Sequence, residues 1–115
     1  MKIIVVGTGF VGLPHAAVCS EYGHEVYAYD IDEKRINAYR TAKREEIEKY
    51  VNEPGLASII SETYNRYLFF TTDLSEIIEG VDVIFMCLNT PPKRDGSTDL
   101  SYFSNAAHTI GELLA

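Results

Sequence analysis

The stretch VVGTGFVG, residues 5–12, decides the fold of this chain. It separates the apolar, β-branched run KIIVV at 2–6 from an apolar-rich segment that continues to about Tyr22. The run is typical of a buried strand in a parallel sheet, and the segment after the glycines is typical of a helix. Pro14 fits that helix because it falls in the first turn, where its missing N–H costs little. The opening residues therefore predict a strand, a glycine-rich turn and a helix.

Strand and helix patterns alternate along the rest of the chain, and we predict further strands at 25–30, 67–71 and 82–88. Four more helices are predicted. A long one runs from an Asp32 cap to about Val51, and a shorter one lies at 56–64. A compact one runs from Asp73 to Gly80, with Asp73 and Glu76 as a capping box, and a last one lies at 100–114. This alternation indicates a Rossmann-type α/β fold, a parallel sheet with helices on both faces, here with about four strands in the order 3-2-1-4. The fourth strand then lies at an apolar edge, which predicts a homo-oligomer formed through residues 82–88.

The glycine turn and a downstream acidic residue together form a dinucleotide-binding fingerprint. Gly7, Gly9 and Gly12 follow a strand and open a helix. Asp30 follows Gly12 by 18 residues and ends the second strand. In this fingerprint Gly7 permits the tight turn, Gly9 lets the backbone approach a pyrophosphate, and Gly12 lets the helix pack close to the strand. Free N–H groups at the helix N-terminus then face the pyrophosphate. The alternative is that the three glycines only shape a turn between strand and helix.

Asp30 indicates which dinucleotide binds. A carboxylate at this position accepts hydrogen bonds from the adenosine ribose hydroxyls of NAD, and it repels the 2′-phosphate of NADP by about 1–4 kcal/mol. Arg35 weakens the distinction, because an arginine near the ribose also tolerates phosphate. Asp30 could alternatively cap the next helix, but Asp32 is better placed for that role. NAD is therefore the expected cofactor.

Composition and charge exclude several classes of function. The 115 residues carry 10 basic and 17 acidic side chains, and the net charge of −7 argues against a nucleic-acid partner. No apolar stretch approaches the roughly 18 residues of a membrane span, so no membrane partner is expected. Cys19 and Cys87 do not make a disulfide framework, and no signal peptide precedes the first strand, so we expect a cytoplasmic protein. The three histidines share no metal-ligand spacing, which predicts no metal site.

Beyond the fingerprint, the sequence resembles the N-terminal NAD-binding domain of the UDP-glucose/GDP-mannose dehydrogenase family over essentially its whole length. The resemblance rests on MKIIVVGTGFVGLPHAAVCSEYGHEVYAYDIDEKRI at 1–36, EPGL at 53–56 and FFTTDLSEIIEGVDVIFMCLNTPPKRDGSTDLSY at 69–102. The first segment is shared with many Rossmann proteins, whereas the other two are more specific. The details look most like UDP-glucose 6-dehydrogenases, although GLP after the glycines also occurs in UDP-N-acetylhexosamine dehydrogenases. One departure is the long charged helix ending in EKYVNEPGL, where the family has a short loop.

The resemblance implies a set of cofactor-binding residues. It places Val11 in the glycine turn, Asp30 at the adenosine ribose and Arg35 beside that ribose. Asn89 and Thr90 lie in the loop after the fourth strand, where ligands bind in open α/β sheets, although NTPP could also be only a stiff turn. The complete expected set is Gly7, Gly9, Phe10, Val11, Gly12, Asp30, Arg35, Asn89 and Thr90.

The resemblance also implies an activity, the NAD-dependent, two-step oxidation of a sugar C6 alcohol to a carboxylate, which converts UDP-glucose to UDP-glucuronate. The family's catalytic groups lie downstream of Ala115 in a full-length member. We therefore expect residues 1–115 to be a truncated NAD-binding domain with no catalytic residue and no substrate domain. Cys87 is expected to pack as a small hydrophobic residue. The alternative function is a stand-alone NAD-sensing regulatory domain of a potassium-transport type system, which opens similarly but lacks EPGL and NTPP…DLSY.

Overall fold

Four parallel strands form one sheet in the order β3-β2-β1-β4, and the computed structural model describes residues 1–115. The elements along the chain are β1 (Lys2–Val6), α1 (Gly12–Glu21), β2 (Glu25–Tyr29), α2 (Glu33–Arg40), α3 (Arg44–Ile47), α4 (Leu56–Thr63), β3 (Leu68–Thr71), a 3-10 turn (Leu74–Glu76), β4 (Val83–Met86) and α5 (Ser101–Leu114). All three strand pairs are parallel, so the predicted Rossmann-type fold and strand order are confirmed. The last three strands are slightly shorter than predicted.

The central strand β1 is buried on both faces because helices or turns cover each side of the sheet. Its side chains alternate between the two faces. Ile3 and Val5 pack in a core with buried residues of α1, α2 and α4. Ile4 and Val6 belong to a second core, whose other members are Leu74, Ile77, Ile78 and Ile110. The two cores explain why β1 is a continuous apolar run rather than an alternating one. None of the helices has the length and apolar character needed to cross a membrane.

The prediction of one continuous helix from Asp32 to Val51 is wrong, because two shorter helices, α2 and α3, occupy this region. Asp32 does cap α2, since its side chain accepts a hydrogen bond from the Arg35 amide, but α2 ends at Arg40. The Thr41 hydroxyl donates to the Ala38 carbonyl at 2.7 Å and accepts from the Lys43 amide at 3.1 Å. These local bonds offer the backbone an alternative to the helix, and the chain leaves it through a left-handed residue at 42.

Apolar spacing predicts that Ile36, Tyr39, Lys43 or Ala42, Ile47 and Tyr50–Val51 share one helix face, and the structure buries part of this set. Ile36, Tyr39, Ile47 and Val51 are buried in the same core, although a break lies between α2 and α3. The Arg40 guanidinium donates two hydrogen bonds to the Phe70 carbonyl, at 2.8 and 3.2 Å, and ties the end of α2 to β3. Hydrophobic periodicity therefore identified the residues that face the sheet but not the break between them.

The compact helix predicted at 73–80 is also wrong, because only Leu74–Glu76 form a 3-10 turn. Asp73 accepts hydrogen bonds from the amide and hydroxyl of Ser75, two residues away. Glu76 does not return to the Asp73 amide as a capping box requires, since that amide donates to the Thr71 hydroxyl at 3.0 Å. Thr71 therefore takes the place of the second half of the box.

The edge of the sheet at β4 pairs with β1 alone, and its other side carries no strand. Its four side chains are only half-buried. Self-association through residues 82–88 stays a prediction. It is expected because such an edge offers unpaired backbone groups to another copy. Sedimentation over a range of protein concentrations should show an average mass that rises with concentration. A constant monomer mass up to high micromolar protein would contradict it.

Gly12 should tolerate no side chain, because a Cβ there would overlap the carbonyl oxygen of Gly7. We expect Gly12→Ala to lower the free energy of unfolding by about 2 kcal/mol or more, since α1 would have to move away from β1. Gly111→Ala is the matched control, because a Cβ at this position in α5 meets nothing within 4 Å. That change should raise stability by about 0.5–1 kcal/mol, as expected for alanine in a helix interior. Denaturant unfolding measures both, and equal effects of the two substitutions would refute the packing argument.

Candidate functional site

The carboxyl ends of β1, β2 and β4 surround a cleft of about 310 Å³. Three chain segments form most of its walls: the glycine turn, the segment from the end of β2 into α2, and the loop after β4. The lining residues are Gly7, Thr8, Gly9, Asp30, Ile31, Arg35, Cys87, Leu88, Asn89, Pro91 and Tyr102. Ligands of open α/β sheets bind at this edge, so the cleft is the candidate binding site.

The three glycines of the turn differ in what surrounds them. Gly7 has a φ of +99°, and a Cβ on it would overlap the Cys87 carbonyl oxygen. Gly12 packs against the Gly7 carbonyl as described above. At Gly9, by contrast, the nearest atom to an added Cβ is Arg35 Nη1, at 3.9 Å. The turn and the packing therefore need Gly7 and Gly12, whereas Gly9 keeps a strip of backbone open to the cleft.

The start of α1 presents unpaired backbone donors beside this strip. The helical hydrogen bonds begin with the Leu13 amide donating to the Gly9 carbonyl at 3.1 Å, and the amides of residues 9–12 donate to no acceptor in the chain. The N-cap residue, Val11, supplies no side-chain acceptor. Four amides and the positive end of the helix dipole therefore favour an anion at this place.

The Asp30 carboxylate is held firmly beside the glycine turn. Its Oδ2 accepts hydrogen bonds from the Thr8 amide at 3.0 Å and the Thr8 hydroxyl at 2.8 Å. Its Oδ1 accepts from the Asp32 amide at 3.0 Å. Only 13% of the Asp30 side chain is exposed. Because Oδ1 has a single partner, it retains acceptor capacity for a ligand hydroxyl.

Arg35 brings a positive charge and a free donor to the same wall. Its Nη1 lies 3.7 Å from Asp30 Oδ2, and its guanidinium lies over the Tyr50 ring, 5.5 Å from the ring centroid. Its Nε is buried and has no hydrogen-bond partner in the chain. A buried donor without a partner is costly, so a ligand oxygen in the cleft would stabilise it.

A second cleft of about 230 Å³ shares Gly9 and Asn89 with the first and adds Phe10 and Val11. Of the nine residues expected from the sequence, five line the first cleft: Gly7, Gly9, Asp30, Arg35 and Asn89. Gly12 lines neither cleft and acts in the packing beneath them. Thr90 is exposed and also lies outside both linings.

Sequence reasoning missed several residues of the site, of which Thr8 is the most informative. Thr8 is fully buried and makes both hydrogen bonds to Asp30 Oδ2. The available signal was a polar residue between two glycines of the turn. Ile31 and Tyr102 also line the cleft, and no local pattern distinguished Tyr102 from other residues of the last helix.

Cys87 lines the cleft but carries a thiol suited to packing. Burial raises the pKa of the Cys87 thiol, and the nearby Cys19 raises it further. A neutral thiol is a poor nucleophile. The side chain packs against the core that contains Ile3 and Val5. Nowhere in the chain do three histidine, cysteine, aspartate or glutamate side chains gather as metal ligands.

Comparison with known proteins identifies the family. Residues 1–115 match the profile of the UDP-glucose/GDP-mannose dehydrogenase family, NAD binding domain. The chain belongs to this family. The sequence-based resemblance and the expected cofactor, NAD, are thereby confirmed. The comparisons give no support to a regulatory domain of the potassium-transport type.

The relatives of this NAD-binding domain include several nucleotide-sugar dehydrogenases. UDP-glucose 6-dehydrogenase TuaD of Bacillus subtilis is 40% identical over 114 residues, 98% of this chain and 24% of the relative. UDP-glucose 6-dehydrogenase AglM of Haloferax volcanii is 37% identical over 115 residues, 100% of this chain and 25% of the relative. The crystal structure of GDP-mannose dehydrogenase from Pseudomonas aeruginosa matches with a TM-score of 0.87 and 32% identity, over 96% of this chain and 24% of that one. The chain thus spans about a quarter of the length of these relatives.

Proposed function

We propose that this chain is the NAD-binding part of a nucleotide-sugar dehydrogenase, and that its parent enzyme oxidises UDP-glucose to UDP-glucuronate. The observation that carries the proposal is the cleft in which Gly9, the first of the residues with unpaired amides at the start of α1, lies beside the fixed carboxylate of Asp30. Both thiols, Cys19 and Cys87, are free, in keeping with the reducing cytoplasm that we propose as its location.

The pyrophosphate of NAD suits the glycine turn. Its negative charge matches the unpaired amides at the start of α1 and the positive end of the α1 dipole. The missing side chain at Gly9 leaves space for it to approach the backbone. Phe10 and Val11 are largely exposed at the start of α1 and line the adjoining cleft. We place the pyrophosphate over residues 9–12 for these reasons.

The adenosine ribose suits the wall of the cleft that Asp30 and Arg35 form. Asp30 Oδ1 has room for a further donor, which a ribose hydroxyl supplies. The unpartnered Nε of Arg35 is a donor for an oxygen of the same ligand. A 2′-phosphate would place a second negative charge near the Asp30 carboxylate, which Arg35 offsets only in part. The geometry therefore supports NAD over NADP.

The loop after β4 completes the proposed cofactor site. Asn89 lines both clefts. Thr90 follows it on the exposed side of the loop. We propose that Asn89 and Thr90 contact the part of NAD that extends beyond the pyrophosphate.

This domain binds and orients the cofactor and leaves the oxidation to groups elsewhere. When bound, NAD supplies the hydride acceptor for the sugar alcohol. No activated nucleophile faces the cleft, because the Cys87 thiol is held neutral by burial. The chain spans about a quarter of its relatives, so we infer that the reacting groups lie in regions of a full-length relative that it does not cover. We accordingly assign residues 1–115 to NAD binding alone.

UDP-glucose is the proposed substrate because of the relatives' names and identities. The UDP-glucose 6-dehydrogenases TuaD and AglM are 40% and 37% identical to the chain. The dehydrogenases of GDP-mannose and UDP-D-ManNAc, from Pseudomonas aeruginosa and Pyrococcus horikoshii, are 32% and 30% identical. The comparison thus supports a nucleotide sugar in general and favours UDP-glucose among the three.

The chain should bind NAD about tenfold or more tightly than NADP, and Asp30→Asn should narrow that ratio. The amide keeps the shape of the side chain and an oxygen acceptor for Thr8, but it removes the charge that opposes the 2′-phosphate. Arg35, released from its ionic partner, would then favour the phosphate. Isothermal titration calorimetry with each cofactor measures the ratio, and equal affinities in the unsubstituted chain would refute the role of Asp30.

Gly9→Val is the control for this experiment. A Cβ at Gly9 meets only the far end of the Arg35 side chain, so the fold should survive. The branched side chain would occupy the space proposed for the pyrophosphate, which NAD and NADP share. Both affinities should therefore fall together with little change in their ratio, and an unaltered affinity for NAD would contradict the placement of the pyrophosphate.

The chain by itself should form no NADH when mixed with NAD and UDP-glucose, GDP-mannose or UDP-N-acetylmannosamine. Oxidation needs acid–base and nucleophilic groups within reach of the reacting carbon, and we assign those groups to regions of a full-length relative that the chain does not cover. A full-length protein that carries this domain should form NADH with UDP-glucose, as followed by the absorbance of NADH. Sustained NADH formation by residues 1–115, abolished by Cys87→Ser, would contradict the assignment.

A further inference from the structure

Tyr39 makes a hydrogen bond that its packing role does not require. It lies in α2, is fully buried, and packs its ring against Phe70 and Tyr50 at centroid distances of 5.4 and 6.0 Å. A phenylalanine would fill the same space without burying a hydroxyl. The Tyr39 hydroxyl instead donates to the carbonyl oxygen of Thr8 in the glycine turn, at 2.7 Å. This one hydrogen bond satisfies the buried Tyr39 hydroxyl and joins α2 to the glycine turn.

Thr8 is held from both sides as a result. Its carbonyl accepts from Tyr39, while its amide and hydroxyl donate to Asp30 Oδ2. Thr8 lies between Gly7 and Gly9, in a segment whose glycines would otherwise allow many backbone conformations. The three hydrogen bonds restrict this segment and fix it relative to Asp30. No other side chain donates a hydrogen bond to the backbone of residues 7–12.

We propose that Tyr39, acting through Thr8, is a positioning residue for NAD. It holds the glycine turn and the Asp30 carboxylate in register, so that the pyrophosphate and ribose positions form one prearranged surface. Prearrangement increases affinity because less conformational freedom is lost on binding. The inference rests on the proposed placement of NAD in this cleft.

The chemical state of Tyr39 supports this role. Burial raises the pKa of the Tyr39 phenol to about 12, although Arg35 and the hydrogen bond to Thr8 lower it in part. Asp30 and Tyr50 are the other titratable groups that act on it. The hydroxyl therefore stays protonated and remains a donor throughout the neutral pH range.

Tyr39→Phe tests the proposal, because it keeps the ring and removes only the donor. We expect the dissociation constant for NAD to rise about three- to tenfold, measured by calorimetry at low temperature after circular dichroism has checked that each variant is folded. Tyr64→Phe is the matched control, since Tyr64 also stacks on Phe70, at 6.0 Å, and its hydroxyl makes no hydrogen bond in the structure. Its NAD affinity should match that of the unsubstituted chain. The proposal is overturned if Tyr39→Phe binds NAD as tightly as the unsubstituted chain. If that variant also unfolds at a lower temperature, the role of Tyr39 is only structural.

A second pair of variants tests the next bond of the chain, from the Thr8 hydroxyl to Asp30. It keeps the proposal testable if Tyr39→Phe does not fold, because Tyr39 acts on Asp30 only through Thr8. Thr8→Val keeps the shape of the buried side chain but removes its hydroxyl bond to Asp30, and it should also weaken NAD binding about three- to tenfold. Thr8→Ser keeps the hydroxyl and should restore most of the affinity. Unchanged binding by Thr8→Val would overturn the proposal. If the unsubstituted chain binds no NAD, the placement of the cofactor fails instead, and that result is distinct from weakened binding in the variants.

Discussion

The close approach of Gly12 to the carbonyl of Gly7 is the constraint on which the site depends. Because residue 12 has no side chain, α1 begins directly above the end of β1. A residue with a Cβ would push the helix away and move its first amides with it. The open donors of residues 9–12 reach the carboxyl edge of the sheet only because this contact is possible. The binding chemistry of the domain therefore depends on a packing contact that touches no ligand.

The same edge receives its acidic residue through the register of the sheet. β1 and β2 are parallel and pair Val6 with Tyr29, so the residues that follow them, Gly7 and Asp30, come out side by side. Asp30 then bonds to Thr8 and becomes part of the turn that it faces. The carboxylate has both a structural and a binding role, so replacing it by alanine would disturb both. The backbone amide of Thr8 serves the fold, whereas the amides from Gly9 onward remain available for a ligand.

The two helices that were predicted incorrectly illustrate the limit of reading periodicity. In the first of them, between Asp32 and Val51, most of the apolar positions predicted for the inner face are buried, because burial follows from the spacing of apolar residues along either continuous or broken helices. Short polar side chains take part in the local hydrogen bonds at both places. Thr41 bonds to neighbouring backbone groups at the end of α2, and Thr71 takes the Asp73 amide that a capping box would use. Such bonds depend on rotamers and on the position of the preceding strand, which hydrophobic spacing does not record.

The sequence by itself determined the fold class, the strand order, the glycine turn, the acidic residue of β2 and the family, because each depends on local spacing or on a short motif. Tertiary structure alone decided how these parts are joined. It brought Tyr39 against Thr8, oriented the Asp30 carboxylate toward the turn, left the Arg35 Nε without a partner, and placed Gly12 in the packing rather than in the cleft. These contacts link residues 22 to 31 positions apart, or depend on which atoms face the cleft. A hydrogen bond between distant segments is set by the packing of α2 and β2 around the sheet. A sequence pattern indicates which residues are buried, but not which buried polar atoms meet, so these contacts could not be predicted from it.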